Sequence, residues 1–177
     1  MSVENLSLRT SDLITDRLVL RPWSADEVAA VVAGDRPPHW AEGFPAEGDR
    51  MIAGRLARQP DSLHEYGHRQ IIERETGLTV GAIGLFWPPT DGAVEFGYGV
   101  VPSRRCRGYT TEAARALVAF ALTAPGVDRV QADVDPGNRA SVRVLEKAGL
   151  RRSDTDARSE RAEGRLHRYV RTAAELR

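Results

Sequence analysis

The 177-residue sequence predicts an α/β (α+β) fold, and three observations carry the prediction. Runs of alternating apolar residues and runs of apolar residues at helical spacing succeed one another in the order β-α-α-β-β-β-α-β-α-β-β. Near the middle, an alternating strand at 94–100 passes through a turn crowded with Arg and Gly straight into an amphipathic helix. The length suits one well-packed domain and is short for two, so residues 1–177 are expected to form one domain.

Taken in order, residues 1–12 are polar and read as a frayed or edge extension. Residues 13–21 (LITDRLVLR) read as one strand. Ser24, with Glu27 three residues on, makes a capping-box pattern that opens a short helix ending at Gly34. Residues 36–48 hold three prolines and two glycines, which exclude a continuous helix or strand, yet they also carry Trp40 and Phe44. Two roles fit these aromatics equally: walling a pocket from a proline-pinned loop, or fastening that loop to the core. A second helix follows at 47–59, with Met51, Ile52 and Leu56 at helical spacing. Residues 66–75 and 78–87 read as strands joined at Thr76-Gly77, and Pro88 to Gly92 as a turn into the central strand.

In that central strand Val94, Phe96, Tyr98 and Val100 point one way, and Glu95, Gly97 and Gly99 the other. One face is apolar; the other carries a single carboxylate beside two residues without side chains, a pattern that marks a bulge or a close approach by a ligand. The helix after the basic turn has the stripe Ala114, Leu117, Val118 and Ala121. Such a turn offers unpaired N–H groups and a positive dipole end to an anion, which reads as a phosphate cradle. Residues 129–134 form a short strand, Asp135-Pro136-Gly137 a turn, 141–148 a helix closed by Gly149, and 150–154 with 165–171 a last strand pair across a polar loop.

Composition removes several functions. Twenty-five basic residues balance 25 acidic ones, so no global field favours nucleic acid or an anionic membrane. The single cysteine, Cys106, allows no internal disulfide and no cysteine-based zinc site, and His39, His64, His68 and His167 show no metal spacing. No metal is expected. Without a signal-like N-terminus or a membrane-length apolar run, a soluble cytoplasmic protein is the default expectation.

The motif Arg105-x-x-Gly108-x-Thr110 resembles the (Q/R)-x-x-G-x-(G/A) turn that holds the pyrophosphate of acetyl-CoA in the GNAT superfamily of N-acetyltransferases. A second block, from Asn138 through Ser141 to Leu145-Glu146-Lys147-Ala148-Gly149-Leu150, resembles the downstream block of the Rim-type branch, which contains ribosomal-protein N-terminal acetyltransferases. The resemblance implies a central mixed, mostly antiparallel sheet with helices on both faces. It also implies that the central strand and the strand at 129–134 run parallel and splay apart, with the pantetheine arm of acetyl-CoA between them.

On that resemblance the cofactor contacts fall at the backbone of Gly99, Val100 and Val101, at Arg105, Cys106, Arg107, Gly108, Tyr109 and Thr110 for the pyrophosphate, and at Asn138 and Ser141. Asn138 is equally the expected N-cap of its helix. Cys106 and Thr110 depart from the family pattern; backbone donors survive both changes, while a positive φ at Cys106 and added bulk weigh against binding. Glu95 is the candidate general base for an amine that must lose its proton before attacking a thioester. Ser141, inward-facing on the stripe of Val144, Leu145 and Ala148, is the candidate that protonates the leaving thiolate. Trp40, Phe44 and Tyr98 are the candidate acceptor contacts. The expected activity is direct acetyl transfer from acetyl-CoA to an amine, on a protein N-terminus or a small molecule, with a homodimer left open. The competing reading is a non-catalytic acyl-CoA-binding sensor or interaction module.

Overall fold

The computed structural model describes residues 6–154, 157–158 and 165–176. Part of the polar extension at 1–12 and most of the polar loop before the last strand lie outside the described residues. The strands are β1 (Leu13–Ile14), β2 (Leu18–Pro22), β3 (His68–Glu73), β4 (Thr79–Thr90), β5 (Ala93–Val100), β6 (Arg129–Val134), β7 (Arg151–Arg152), β8 (Ala157–Arg158) and β9 (Arg165–Thr172). The helices are α1 (Ala25–Ala33), α2 (Glu47–Arg58), α3 (Tyr109–Ala121) and α4 (Arg139–Lys147). The sheet runs β1-β2-β3-β4-β5-β6-β9-β7, with β8 also on β9. It is mixed and mostly antiparallel, and β5–β6 is its parallel pair.

Local chemistry sets the helix ends. Ser24 Oγ accepts from Glu27 N–H at 3.2 Å while Glu27 Oε2 accepts from Ser24 N–H at 2.8 Å, a complete capping box. Asn138 Oδ1 accepts from Ser141 N–H and caps α4. At the other end of α4, Gly149 takes φ +90°, and Leu150 N–H reaches back to Leu145 O, the Schellman arrangement that satisfies the last carbonyls. Helix α3 buries Ala113, Ala114, Leu117, Val118 and Ala121 completely. Each of its larger side chains contributes about 1.5–3 kcal/mol by leaving water.

Helices cover both faces. Tyr98 on β5 donates to Ser141 O of α4, and the Arg69 guanidinium of β3 sits 4.9 Å over the Phe120 ring of α3, so α3 and α4 share one face. Helix α2 lies on the other, where its Arg55 acts on the His68 imidazole.

Three expectations need correction. The strand at 13–21 is two strands, because Thr15 Oγ1 accepts from Leu18 N–H and folds residues 15–17 into a turn. Pro88 and Pro89 lie within β4, not in a turn; having no N–H, they interrupt the β4–β5 ladder between Phe86 and Thr90. The reversal comes at Asp91-Gly92, both with positive φ (50° and 75°), the two-residue hairpin conformation. Met51 is 57% exposed, and α2 buries Ala53 and Leu56 instead. No helix among the described residues is long and apolar enough to cross a membrane.

Candidate active site

Strands β5 and β6 pair only at Ala93↔Arg129, Val94↔Val130 and Glu95↔Gln131. Beyond that point β5 continues to Val100, and β6 continues to Val134, held by β9. The facing edges therefore part, leaving backbone groups without a ladder partner in the middle of the sheet. Val101 N–H donates to Val80 O across β4, and alternation along a strand then turns the groups of Val100 toward the gap. Arg105 Nε donates to Val100 O at 3.1 Å, so this side chain joins the gap to the basic turn.

The glycines of β5 do two different things. A side chain at Gly97 would meet the Phe86 ring at 3.3 Å, so Gly97 makes room for an aromatic. A side chain at Gly99 would meet nothing within 4 Å; there the face is open.

Glu95 stands half-buried on this face, beside Phe86 on β4 and Gln131 on β6. Burial pushes its carboxyl above the usual range, the Asp133 carboxylate pushes it further, and Arg168 opposes both. Arg168 grips Asp133 through two bonds of 2.8 Å, Nε to Oδ1 and Nη2 to Oδ2. His68 lies one step away on the same face, its ring 5.3 Å from Phe86. Burial, helped by Arg55, lowers its pKa to about 4, so it is neutral near pH 7. On the α4 side of the gap, Tyr98 Oη donates to Ser141 O at 3.3 Å. Ser141 is half-buried in the first turn of α4, the helix that buries Leu145 and ends at buried Ala148.

The basic turn is held from behind. Cys106 and Gly108 take φ +61° and +80°, and the N–H groups of Gly108, Tyr109 and Thr110 have no acceptor among the described residues. Arg17, on the β1–β2 turn, donates from Nη1 to Arg107 O at 2.8 Å and from Nε to Glu112 at 2.7 Å. Its guanidinium lies 4.8 Å over the Tyr109 ring, and Nη2 would meet any side chain placed on Gly108 at 3.3 Å. Tyr109 itself points inward: it is 6% exposed and donates to Glu73 Oε1 at 2.7 Å, so its amide faces the turn and its ring does not. Glu73 also accepts from Thr76 at 2.6 Å and Arg104 at 3.1 Å. Burial works to raise the Glu73 carboxyl, and these three donors outweigh it and hold it below the usual range. A cleft of about 790 Å³ opens beside the turn, with Arg17, Gly108, Thr111, Arg115 and Lys147 on its walls.

Trp40 and Phe44 are core side chains, 8% and 1% exposed, packed edge-to-face at 5.4 Å, with Trp23 against Phe44. Their loop pairs with Thr79 through His39 O and Ala41 N–H, which explains why it needs aromatics. This corrects the expectation that both rings wall an acceptor pocket. Asn138 is exposed at the start of α4. Sequence reasoning missed Asp133, Arg168, Arg17 and Glu73. The signal for Asp133 was present in its outward position on an alternating strand; the other three are joined to the site by contacts between residues as much as 95 positions apart.

Comparison with known proteins decides the family. The profile described as an acetyltransferase (GNAT) domain matches residues 17–151. The chain belongs to the GNAT acetyltransferase family. Among its GNAT relatives, an uncharacterized N-acetyltransferase of Bacillus subtilis, YjdG, is 34% identical over 81 residues, 45% of this chain and 48% of that protein. The chain spans about half the length of the curated relatives it matches. Among solved structures, an acetyltransferase from Agrobacterium tumefaciens superposes with a TM-score of 0.64 at 25% identity, covering 95% of this chain and 98% of the other. RimL, a ribosomal L7/L12 alpha-N-protein acetyltransferase in complex with coenzyme A, superposes with a TM-score of 0.64 at 16% identity, covering 91% and 97%, a likeness of fold.

Proposed function

We propose that this GNAT chain binds acetyl-CoA along the β5–β6 gap and transfers the acetyl group to an amine. The observation that carries the reading is the gap itself, open at Gly99 and flanked by a half-buried carboxylate whose pKa is raised. The residues suit such a donor. Of the stretch Gly99, Val100 and Val101, the backbone of Val100 faces the gap and offers strand-like pairing to an amide-bearing arm, while Val101 N–H stays on Val80 O. The turn of Arg105, Cys106, Arg107, Gly108, Tyr109 and Thr110 presents unpaired amides at the N-terminus of α3 to an anion. Arg115 and Lys147 add positive charge to the adjoining cleft.

Bound acetyl-CoA supplies an acyl carbon already activated as a thioester. The chain's own work is to hold the two reactants together, remove a proton from the amine and return one to the departing sulfur. Glu95 is the proposed acceptor of that proton, and its raised pKa supports the role by bringing a carboxylate closer to the strength a general base needs near neutral pH. Ser141, whose carbonyl accepts from Tyr98 at the start of α4, is the proposed donor of the returning proton. The acceptor is an amine, on a protein N-terminus or a small molecule, and the reaction needs no metal.

Release of CoA thiol, measured with acetyl-CoA and a panel of amines, tests the reading. Glu95→Gln keeps shape and hydrogen bonding but cannot accept the proton, so kcat should fall roughly 10²–10⁴-fold at pH 7 with donor affinity little changed. The loss should shrink as pH rises toward the amine's own pKa. Binding of acetyl-CoA without thiol release in the presence of any amine would instead make the chain an acyl-CoA-binding module.

A further inference from the structure

We infer that the acceptor carries its amine on a peptide N-terminus with acidic side chains at the second to fourth positions, held by an arginine-lined groove on the face of Glu95. The inference rests on the acetyl-transfer reading above. The sheet register places the groove. Glu95 pairs with Gln131, Gln131 with Val170 and Val170 with Arg151, so these side chains share one face. One rung toward the start of β6, Arg129 pairs with Thr172 on that same face, and Arg168 pairs with Asp133 one rung the other way. The groove they form holds about 450 Å³ and opens to solvent.

Its charge is lopsided in a chain whose charges otherwise balance. Arg129, Arg151, Arg152 and Arg168 line it against one carboxylate, Glu175. Arg168 is engaged by Asp133. Arg151 is shared with Glu175 and keeps 77% of its side chain exposed. Arg129 forms no ion pair with a described residue, and its Nη1 reaches only the Asp91 carbonyl at 3.1 Å. Guanidiniums in this state hold carboxylates well, because their donors match the two oxygens in plane.

Geometry then sets the kind of acceptor. With strands about 4.8 Å apart and about 3.3 Å per residue along them, Arg129 starts roughly 8 Å and Arg151 roughly 14 Å from Glu95. An extended peptide whose terminal amine meets Glu95 brings its second to fourth residues over that span. A small amine cannot reach both ends.

The test uses hexapeptides that differ only at positions two to four, with Asp and Glu, with Asn and Gln, or with Lys. CoA release and peptide mass are read for the wild type, Arg129→Gln with Arg151→Gln, and Glu175→Gln. The acidic peptides should show a kcat/KM roughly tenfold above their amide counterparts, with the advantage shrinking in added salt. The double variant should bring that ratio close to one by slowing the acidic peptides. Glu175→Gln still accepts the Thr172 N–H but releases Arg151, so it should widen the ratio. Equal rates on acidic and amide peptides, or an advantage that survives the double variant, would overturn the inference while leaving acetyl transfer standing. If no amine releases CoA thiol, the acetyl-transfer reading fails first. Calorimetric binding of the same peptides then decides the groove, and equal affinities overturn it.

Discussion

Glu73 is the residue on which the basic turn hangs. It sits at the end of β3, 2% exposed, and gathers Thr76, Tyr109 and Arg104 onto one carboxylate. Arg104 precedes the turn and Tyr109 ends it, so a single charge fixes both ends of the segment that offers amides to an anion. Glu73→Gln should destabilise the protein by about 1–3 kcal/mol, the cost of leaving charged donors poorly matched. The effect should depend on pH with a definite sign. The folded-state pKa of Glu73 is lowered, so its stabilisation is complete above the unfolded value of about 4.3 and is lost as pH falls through the folded value. Chemical denaturation at pH 7 and at successively lower pH checks this: the variant's deficit should be full at neutral pH and fade in acid. A deficit that does not change with pH would mean that Glu73 contributes shape alone. None of this was legible beforehand, because a Glu read on an alternating strand gives no hint that its partners lie 31 and 36 residues away. Glu95 was legible, since a lone carboxylate followed by Gly97 and Gly99 on the same strand face leaves a pattern in the sequence itself.

Elements were readable where one periodicity held and misread where two local rules competed. The capping box at Ser24, the Asn138 cap and the closing Gly149 all depend on neighbours within a few residues, and all stand as expected. The strand at 13–21 broke because Thr15 folds onto Leu18, and the double proline was read as a turn although an interrupted ladder accommodates it. The turn into α3 has a further reason for its glycine that the motif does not contain. Beyond the positive φ, Arg17 occupies the space a side chain at Gly108 would need. Gly108→Val should therefore both strain the turn and displace Arg17 from Arg107 and Glu112, weakening acetyl-CoA binding by well over tenfold. Calorimetry on the folded variant checks it, and an unchanged affinity would remove the turn from the donor site.

At the scale of the whole molecule, the order of elements was legible from periodicity, while the mixed sheet, the helices on its two faces and the parallel pair came from the resemblance of the two motif blocks. What it could not give was the arrangement across strands. The row from Glu95 to Arg151 joins residues from four separate strands, and only pairing register brings them onto one face. Trp40 and Phe44 were open between two roles for the same reason, since burial is a property of the finished core. The parting of β5 from β6 has a mechanical meaning as well. The sheet is two leaves stitched by a short seam at 93–95 and 129–131, with an unlaced edge beyond it. A strand-like guest laced into that edge would turn two leaves that can flex about the seam into one continuous plate. Amide hydrogen exchange at 98–101 and 132–134 should slow on acetyl-CoA binding, and the slowing should extend into β9, which is laddered to β6 along its length. Protection confined to the turn at 105–110 would mean that the guest grips the rim and leaves the leaves free to move.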